Sequence, residues 1–359
     1  MTAILENLEQ QLGKGKIKLN QPLARYTTLK IGGPAKYFFI ANTGDEVKAA
    51  VKAAIEAKIA YFVLGGGSNV VISDAGLTGL VIRNESRSIK VIKRLGSVKN
   101  GNMEVQQTLV EADTGVLINQ LVRFTCDEGL GGLERHLGLP GTVGGALYMN
   151  SKWTKPFTYV GDVLYQANVM DRDGNVKRVN RDYFDFAYDQ SILQKTRETV
   201  LSATFRLTTV DKKILWETAQ ASMTYRKETQ PMGVATAGCT FRNIPLSDAM
   251  RIVTPDNTTS AGYLVDQVGL KNFQIGQAKF SDKHANFILN LGNATAQDVK
   301  GLIDEAKKRV SEKFNVAIEP EIVLLGEFIP RSSHGFKKVD QHRGNREQEK
   351  NRGNDGNGF

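Results

Sequence analysis

Six residues, Leu64-Gly65-Gly66-Gly67-Ser68-Asn69, constrain this chain more than any others. They lie between two short apolar runs, Tyr61 to Leu64 and Val70 to Ile72. Three consecutive glycines bring no side chain to pack, so a core role does not explain them. A strand ending in Gly-Gly-Gly-Ser-Asn exposes successive backbone N–H groups with nothing in front of them. A concave row of such donors suits a phosphate or pyrophosphate. Ser68 and Asn69 add a hydroxyl and an amide. The residues that follow read as a strand, so this is not the G-x-G-x-x-G strand-to-helix fingerprint. A plain glycine-rich hairpin loop fits these six residues equally well.

Periodicity places elements around the loop. Residues 3–12 read as a short amphipathic helix and Lys36 to Ile40 as a strand. Thr43-x-x-Glu46 is a capping box, followed at helical spacing by Val47, Ala50, Val51, Ala54 and Ile55. Residues 36–64 then form a βαβ-like unit whose second strand feeds the glycine loop. Further strands are expected at Gly79 to Arg83, Ser88 to Lys93, Met103 to Glu111, Val163 to Met170 and Val200 to Leu207, with a helix over Val116 to Asp127. A domain boundary falls near residue 209. Lys212 to Arg226 reads as helix, and Thr295-x-x-Asp298 caps another with Val299, Leu302, Ile303, Ala306 and Val310 on one face. A strand from Ile318 to Leu325 closes the ordered part. The layout is α+β: an N-terminal helix (1–18), lobes over 19–84 and 85–209, a mixed domain over 210–328, and a polar, basic tail (329–359) expected to be disordered.

Charge and cysteine content narrow the class. The net charge is +9, of which the tail from Arg331 contributes +3. A diffuse remainder on a large body is weak evidence for nucleic acid and suits an anionic small ligand as well. Cys126 and Cys239 are far apart, and of the four histidines two lie in the tail. No metal-ligand spacing exists, and a disulfide framework is not expected. The first residues hold no apolar core of signal length, and no run nears the roughly 20 apolar residues of a membrane span. The expectation is a cytoplasmic protein, favoured as a monomer, with no metal, membrane or nucleic-acid partner.

A second glycine-rich segment, Pro140-Gly141-Thr142-Val143-Gly144-Gly145-Ala146, companions the first. Two separated backbone-exposing segments suggest a large ligand gripped at two places, such as a dinucleotide. Close packing of helices through small residues is the competing explanation. At this point a resemblance is specific. YTTLKIGGPAKYF from Tyr26, VLGGGSNVVIS from Val63, GLPGTVGGALYMN from Gly138, YRKETQP from Tyr225, AGCTFRN from Ala237, SAGYLVDQVGLK from Ser260, SDKHANFILN from Ser281 and IEPEIVLLG from Ile318 run in order over about residues 20–327. Together they resemble the UDP-N-acetylenolpyruvoylglucosamine reductases, also called UDP-N-acetylmuramate dehydrogenases, flavoenzymes of peptidoglycan precursor synthesis. The continuity of the C-terminal motifs resembles the shorter, type II branch.

That resemblance implies a two-lobed FAD-binding domain of the vanillyl-alcohol-oxidase (PCMH) type plus a C-terminal α+β substrate-binding domain. FAD is the implied cofactor, NADPH the co-substrate and a UDP-sugar the substrate. Gly65, Gly66, Gly67, Ser68 and Asn69 would hold the FAD pyrophosphate. Pro140, Gly141, Thr142, Gly144 and Gly145 would line the flavin, with Thr114 and Gly115 contributing. Hydride passes to the enolpyruvyl double bond, so an enolate builds up and a proton must arrive. Cys239 stands where the family has its Ser proton donor. A thiol, with an ordinary pKa of about 8.5, is a stronger acid than a hydroxyl; a small buried hydrophobe is its other reading. Glu321 matches the family's catalytic carboxylate, and strand alternation puts Glu319 on the same side. Two such carboxylates without that context read as a solvated face.

The third catalytic position departs from the pattern. The family has Tyr-Arg-x-Ser, with Arg at the substrate carboxylate; this chain has Tyr188-Asp189-Gln190-Ser191. A unit-charge contact at about 4 Å and an effective dielectric of about 20 amounts to about 4 kcal/mol. Inverting its sign beside an enolate would slow the reaction by several decades unless compensated. Arg226 and Arg242 are the candidate compensating cations. The alternative function is a catalytically weakened homologue that binds FAD and nucleotide sugar. Tyr188, Tyr225, Arg226, Gln230, Asn243 and His284 are the remaining substrate-binding candidates, His284 as a positioning or structural residue.

Overall fold

The first lobe is built on the alternation of Pro34–Ala41, in which Tyr37 and Phe39 face one core and Phe38 the other. The structure, a computed structural model, describes residues 2–99 and 102–328. The first sheet runs Lys18–Pro22, Pro34–Ala41, Leu77–Asn84, Tyr61–Leu64 in space. The βαβ-like unit is therefore opened: Leu77–Asn84 lies between its two strands and parallel to both. Helix Gly44–Glu56 starts at Thr43, whose hydroxyl accepts from the Glu46 N–H, while the Glu46 carboxylate accepts from the Asn42 N–H. Its Val47, Ala50, Val51 and Ala54 pack with Leu8 and Leu12 of helix Thr2–Leu12.

The second lobe is antiparallel, in the order Val176–Asn180, Leu164–Met170, Thr199–Thr209, Asn102–Asp113, Ile89–Lys99. Ile118, Leu121 and Val122 of helix Ile118–Asp127 and Leu147 of helix Val143–Met149 close its core. Helix Lys212–Thr229 lies past the boundary expected near residue 209, yet Leu215 and Ala219 pack in this same core. Their i,i+4 spacing gives the helix one apolar stripe, and the second lobe covers it.

The C-terminal sheet runs Ala235–Cys239, Phe287–Asn290, Ala278–Phe280, Gln274–Ile275. Helix Ala296–Phe314 packs on it through Val299, Leu302, Ile303, Ala306 and Val310. Thr295 and Asp298 form the expected capping box. Asp74 of the first lobe also caps this helix, accepting from the Ala296 and Gln297 N–H groups at 2.9 and 3.2 Å.

Strand Val70–Ile72 is the seam between lobe and C-terminal domain. It pairs in parallel with Val323–Leu325. Val71 faces the C-terminal core and Ile72 the first-lobe core, as a period of two requires. The strand before the glycine loop pairs with Leu77–Asn84 and the one after it with Val323–Leu325, so the loop is not a hairpin.

One expectation fails nearby. The strand anticipated from Ile318 to Leu325 forms only over Val323–Leu325. Pro320, which has no N–H for a ladder, makes a single bridge with Phe241. Glu319 and Glu321 consequently part: Glu319 is 64% exposed and pairs with Lys307, while Glu321 is 21% exposed and faces Lys152. Residues up to Phe328 pack as one compact unit. The expectations for residues 329–359 fall outside the described residues.

Candidate active site

The two glycine-rich segments meet. A Cβ on Gly66 would stand 2.7 Å from the Gly141 Cα. One on Gly65 would strike the Thr142 hydroxyl, and one on Gly67 the Tyr26 carbonyl. Gly67 has φ 64° and Gly141 φ 109°, the left-handed side that glycine tolerates. Ser68 Oγ donates to the Pro140 carbonyl at 3.3 Å, and Arg83 donates to the Gly65 carbonyl. The carbonyl of Gly67 is taken by the Thr28 N–H. Among the described residues no acceptor meets the N–H groups from Gly65 to Asn69. This is a row of open donors, the first three on residues without side chains, and it suits a pyrophosphate.

The flanking residues behave differently. The Thr114 hydroxyl donates to the Val200 carbonyl at 2.8 Å and accepts from Asn84, and its own carbonyl accepts from the Gly144 N–H. The Gly115 N–H donates to Ser86 Oγ at 3.2 Å. Thr142 caps helix Val143–Met149, accepting from the Gly145 N–H. These groups fix the second segment in place; their polar atoms are already used.

A second cluster lies one hydrogen bond away. Asn69 Nδ2 donates to the Glu321 carbonyl at 3.1 Å, and the Glu321 N–H donates to the Thr240 carbonyl at 2.8 Å. Cys239, the last residue of its strand, and Glu321 are thereby brought together from 82 positions apart. Burial pushes the Cys239 thiol up to about 12, with the Glu321 charge adding to it and Lys152 opposing. Burial likewise lifts Glu321 to about 7, against the pull of Lys152 and with a push from Asp189.

Lys152 had no sequence signal; it follows the second glycine motif as one more surface-type residue. In the structure its ammonium sits 2.5 Å from Asp189 Oδ1, 3.6 Å from Glu321 Oε2 and 4.2 Å from the centroid of the Tyr188 ring. Its side chain is 13% exposed and that of Asp189 2%. Burial works against the charged ammonium, yet Glu321 and Asp189 hold its pKa above the ordinary lysine value. Asp189 occupies the tip of a tight turn closed by reciprocal Ala187–Gln190 hydrogen bonds, with φ 52°. Asn150, Ser191 and Gln194 bind this turn to the end of helix Val143–Met149. Arg242 donates to the Asp189 carbonyl at 3.2 Å. Asp189 is thus a held partner of Lys152, and the inverted charge read at this position has a cation beside it.

Of the other candidates, Arg226 is 7% exposed and lies over the Trp153 ring at 5.0 Å. Burial lowers its pKa to about 10, with Cys239 acting in the opposite direction. Tyr225 meets the same Trp153 edge-on at 5.6 Å. Gln230 ends helix Lys212–Thr229. Asn243 Oδ1 accepts from the Ala261 N–H at 3.3 Å. His284 accepts from the Asn286 N–H and stands against Phe287 and Gly262. Burial lowers the His284 pKa, favouring the neutral ring. Among the described residues no cluster could hold a metal ion, and no helix is long and apolar enough to cross a membrane.

Fold and site together define a flavoprotein oxidoreductase with a two-lobed FAD-binding domain and a C-terminal α+β domain. Residues 35–180 match the FAD binding domain family model, and residues 230–325 match the model of the UDP-N-acetylenolpyruvoylglucosamine reductase C-terminal domain. The UDP-N-acetylenolpyruvoylglucosamine reductase of Bacillus subtilis (strain 168) is 35% identical over 327 residues, covering 91% of this chain and 99% of that relative. The reductase of Caldicellulosiruptor saccharolyticus is 36% identical over 323 residues, 88% of this chain and 96% of the relative. The crystal structure of UDP-N-acetylenolpyruvylglucosamine reductase from Thermus caldophilus superposes with a TM-score of 0.65 at 30% identity, covering 86% of this chain and 98% of that one. The chain belongs to the UDP-N-acetylenolpyruvoylglucosamine reductase family, enzymes of peptidoglycan precursor synthesis, and FAD is its cofactor.

Proposed function

We propose that this protein reduces the enolpyruvyl group of UDP-N-acetylglucosamine enolpyruvate to UDP-N-acetylmuramate in the cytoplasm, with NADPH as reductant. One observation carries the reading: the 3.1 Å bond from Asn69 to the Glu321 carbonyl, which joins the open donor loop to the proton-donating pair. Gly65 to Asn69 would hold the FAD pyrophosphate, and Gly141, Thr142, Gly144 and Gly145 would line the cofactor. FAD, when bound, carries hydride from NADPH to the enolpyruvyl double bond. As hydride adds to one carbon, the π electron pair moves toward the carboxylate and an enolate forms. The Cys239 S–H proton completes the other carbon, and the thiolate regains its proton from water. A thiol held at about 12 stays protonated through the physiological range, so this acid is always loaded. Glu321, while protonated, donates a hydrogen bond to the developing oxyanion. Tyr225, Arg226 and Gln230 border the UDP-sugar.

The pH dependence follows from Glu321. Its raised pKa means that the donating, protonated form exists below about 7 and is lost above it. Lys152 and Arg242 favour the ionised form, while burial and Asp189 favour the neutral one. Substrate reduction is expected to fall by about tenfold per pH unit on the alkaline side. Rate profiles from pH 5.5 to 9 check this, and the descending limb should vanish in Glu321→Gln at a lower plateau. A wild-type profile flat across that range removes Glu321 from the role.

The reading itself is tested by NADPH consumption that requires the enolpyruvyl UDP-sugar, in a yellow, FAD-bound preparation. A flavin-loaded protein without that activity overturns it. Asp189 in the family's Arg position favours a second reading, a weakened homologue that binds FAD and nucleotide sugar. Turnover gained in Asp189→Arg over an inert wild type supports that second reading; a fully active wild type ends it.

A further inference from the structure

We infer that Lys152, held by Asp189, supplies the positive charge that meets the substrate's carboxylate as it takes on enolate character. This rests on the reduction proposed above and assigns its missing cation. Three observations converge. The ammonium lies between the two carboxyl side chains of the cluster, at 2.5 and 3.6 Å, and its charge acts on the Cys239 thiol. Lys152 opens strand Lys152–Thr154, three positions past the end of helix Val143–Met149, whose N-terminus is the second glycine segment, so a short connection joins that segment to the cation. Three buried side-chain atoms around the cluster, Asp189 Oδ2, Arg226 Nε and Arg242 Nε, have no hydrogen-bond partner among the described residues and so leave polar capacity open there.

Neither of the other two candidate cations forms an ion pair with Asp189 or Glu321, whereas Lys152 pairs with both. Arg226 is pinned over Trp153, and Arg242 is bound to the Asp189 main chain. Charge balance points the same way. With Glu321 protonated, Lys152 and Arg242 face Asp189 alone, leaving one positive charge to receive one substrate carboxylate. Asp189 is then a positioning residue: it orients the ammonium and lifts its pKa, as a bidentate guanidinium would not require.

The test uses the FAD-loaded full chain with Lys152→Met, Asp189→Asn and the Lys152→Met/Asp189→Asn pair. Two readouts are taken: reoxidation of the reduced flavin by the enolpyruvyl UDP-sugar under anaerobic conditions, and calorimetric affinity for that sugar against UDP-N-acetylglucosamine. Lys152→Met is expected to slow reoxidation by about a hundredfold or more. It should weaken the enolpyruvyl sugar by at least about tenfold and leave UDP-N-acetylglucosamine affinity within about twofold. The double variant removes both charges, so no buried carboxylate is left unpaired, and it should remain as slow as Lys152→Met. Recovery of the double variant to near wild-type rate overturns the inference, since Lys152 would then only neutralise Asp189. Equal weakening of both sugars overturns it too. A wild type whose reduced flavin the enolpyruvyl sugar cannot reoxidise overturns the proposed reduction and this inference together; an active wild type with an active Lys152→Met overturns this inference alone.

Discussion

Cys239→Ala is expected to slow enolpyruvyl reduction by about 10²–10⁴-fold, the usual range for loss of a positioned acid. The FAD content should be retained. The thiol holds its proton at every physiological pH, because burial and the neighbouring Glu321 push it up to about 12. Removing it leaves the carbon to be protonated by water or by Glu321, which has lost much of its own proton at pH 8. The loss should therefore deepen as pH rises. Cys239→Ser keeps a proton-bearing atom at the same branch point and should recover most of the rate. Stopped-flow reoxidation of the reduced flavin measures both variants directly. An Ala variant within about threefold of wild type at pH 8 would remove Cys239 from the mechanism, a margin far below the range for such an acid.

Gly66→Ala should strip the flavin. The new methyl would lie 2.7 Å from the Gly141 Cα, a backbone atom that cannot rotate away. The two glycine segments must then separate, and the donor row from Gly65 to Asn69 loses its shape. Loss of donors to an anion costs about 1.5–3 kcal/mol for each charged hydrogen bond. Two such losses weaken FAD by hundreds-fold or more. The purified variant is expected to be colourless, with a circular dichroism spectrum close to wild type, and added FAD should not restore the yellow form at micromolar concentration. A variant that purifies with one FAD per chain would refute this account of the loop.

Much of this was legible from local chemistry. Tyr61 to Leu64 is a strand with the same bounds as its apolar run. Thr43 and Thr295 cap the helices that their capping-box spacing announces. The open N–H row needs only Gly-Gly-Gly and its φ angles. Periodicity and capping act over a few residues, so a local pattern carries them. The helix Lys212–Thr229 was equally legible as a helix, but not as a member of the second lobe. Its stripe says that Leu215 and Ala219 need cover, and says nothing of which core provides it.

Contacts between distant segments escaped in proportion to their separation. Val70–Ile72 reads as a short strand, but its partner lies 253 positions along the chain. Glu319 and Glu321 look equivalent until Pro320 breaks the ladder and the Phe241 bridge turns one outward and one inward. The sharpest case is the charge at Asp189. The amino-acid order states the residue types at Asp189 and Lys152, and composition shows no reason to join them. Folding closes the Asp189 turn against the end of helix Val143–Met149 and sets an ammonium 2.5 Å from the carboxylate. Local chemistry thus wrote the helices, the strands and the glycine loop. Whether an inverted charge is a defect or half of a pair depended on desolvation and Coulomb forces between groups 37 residues apart, which act only once the chain is packed.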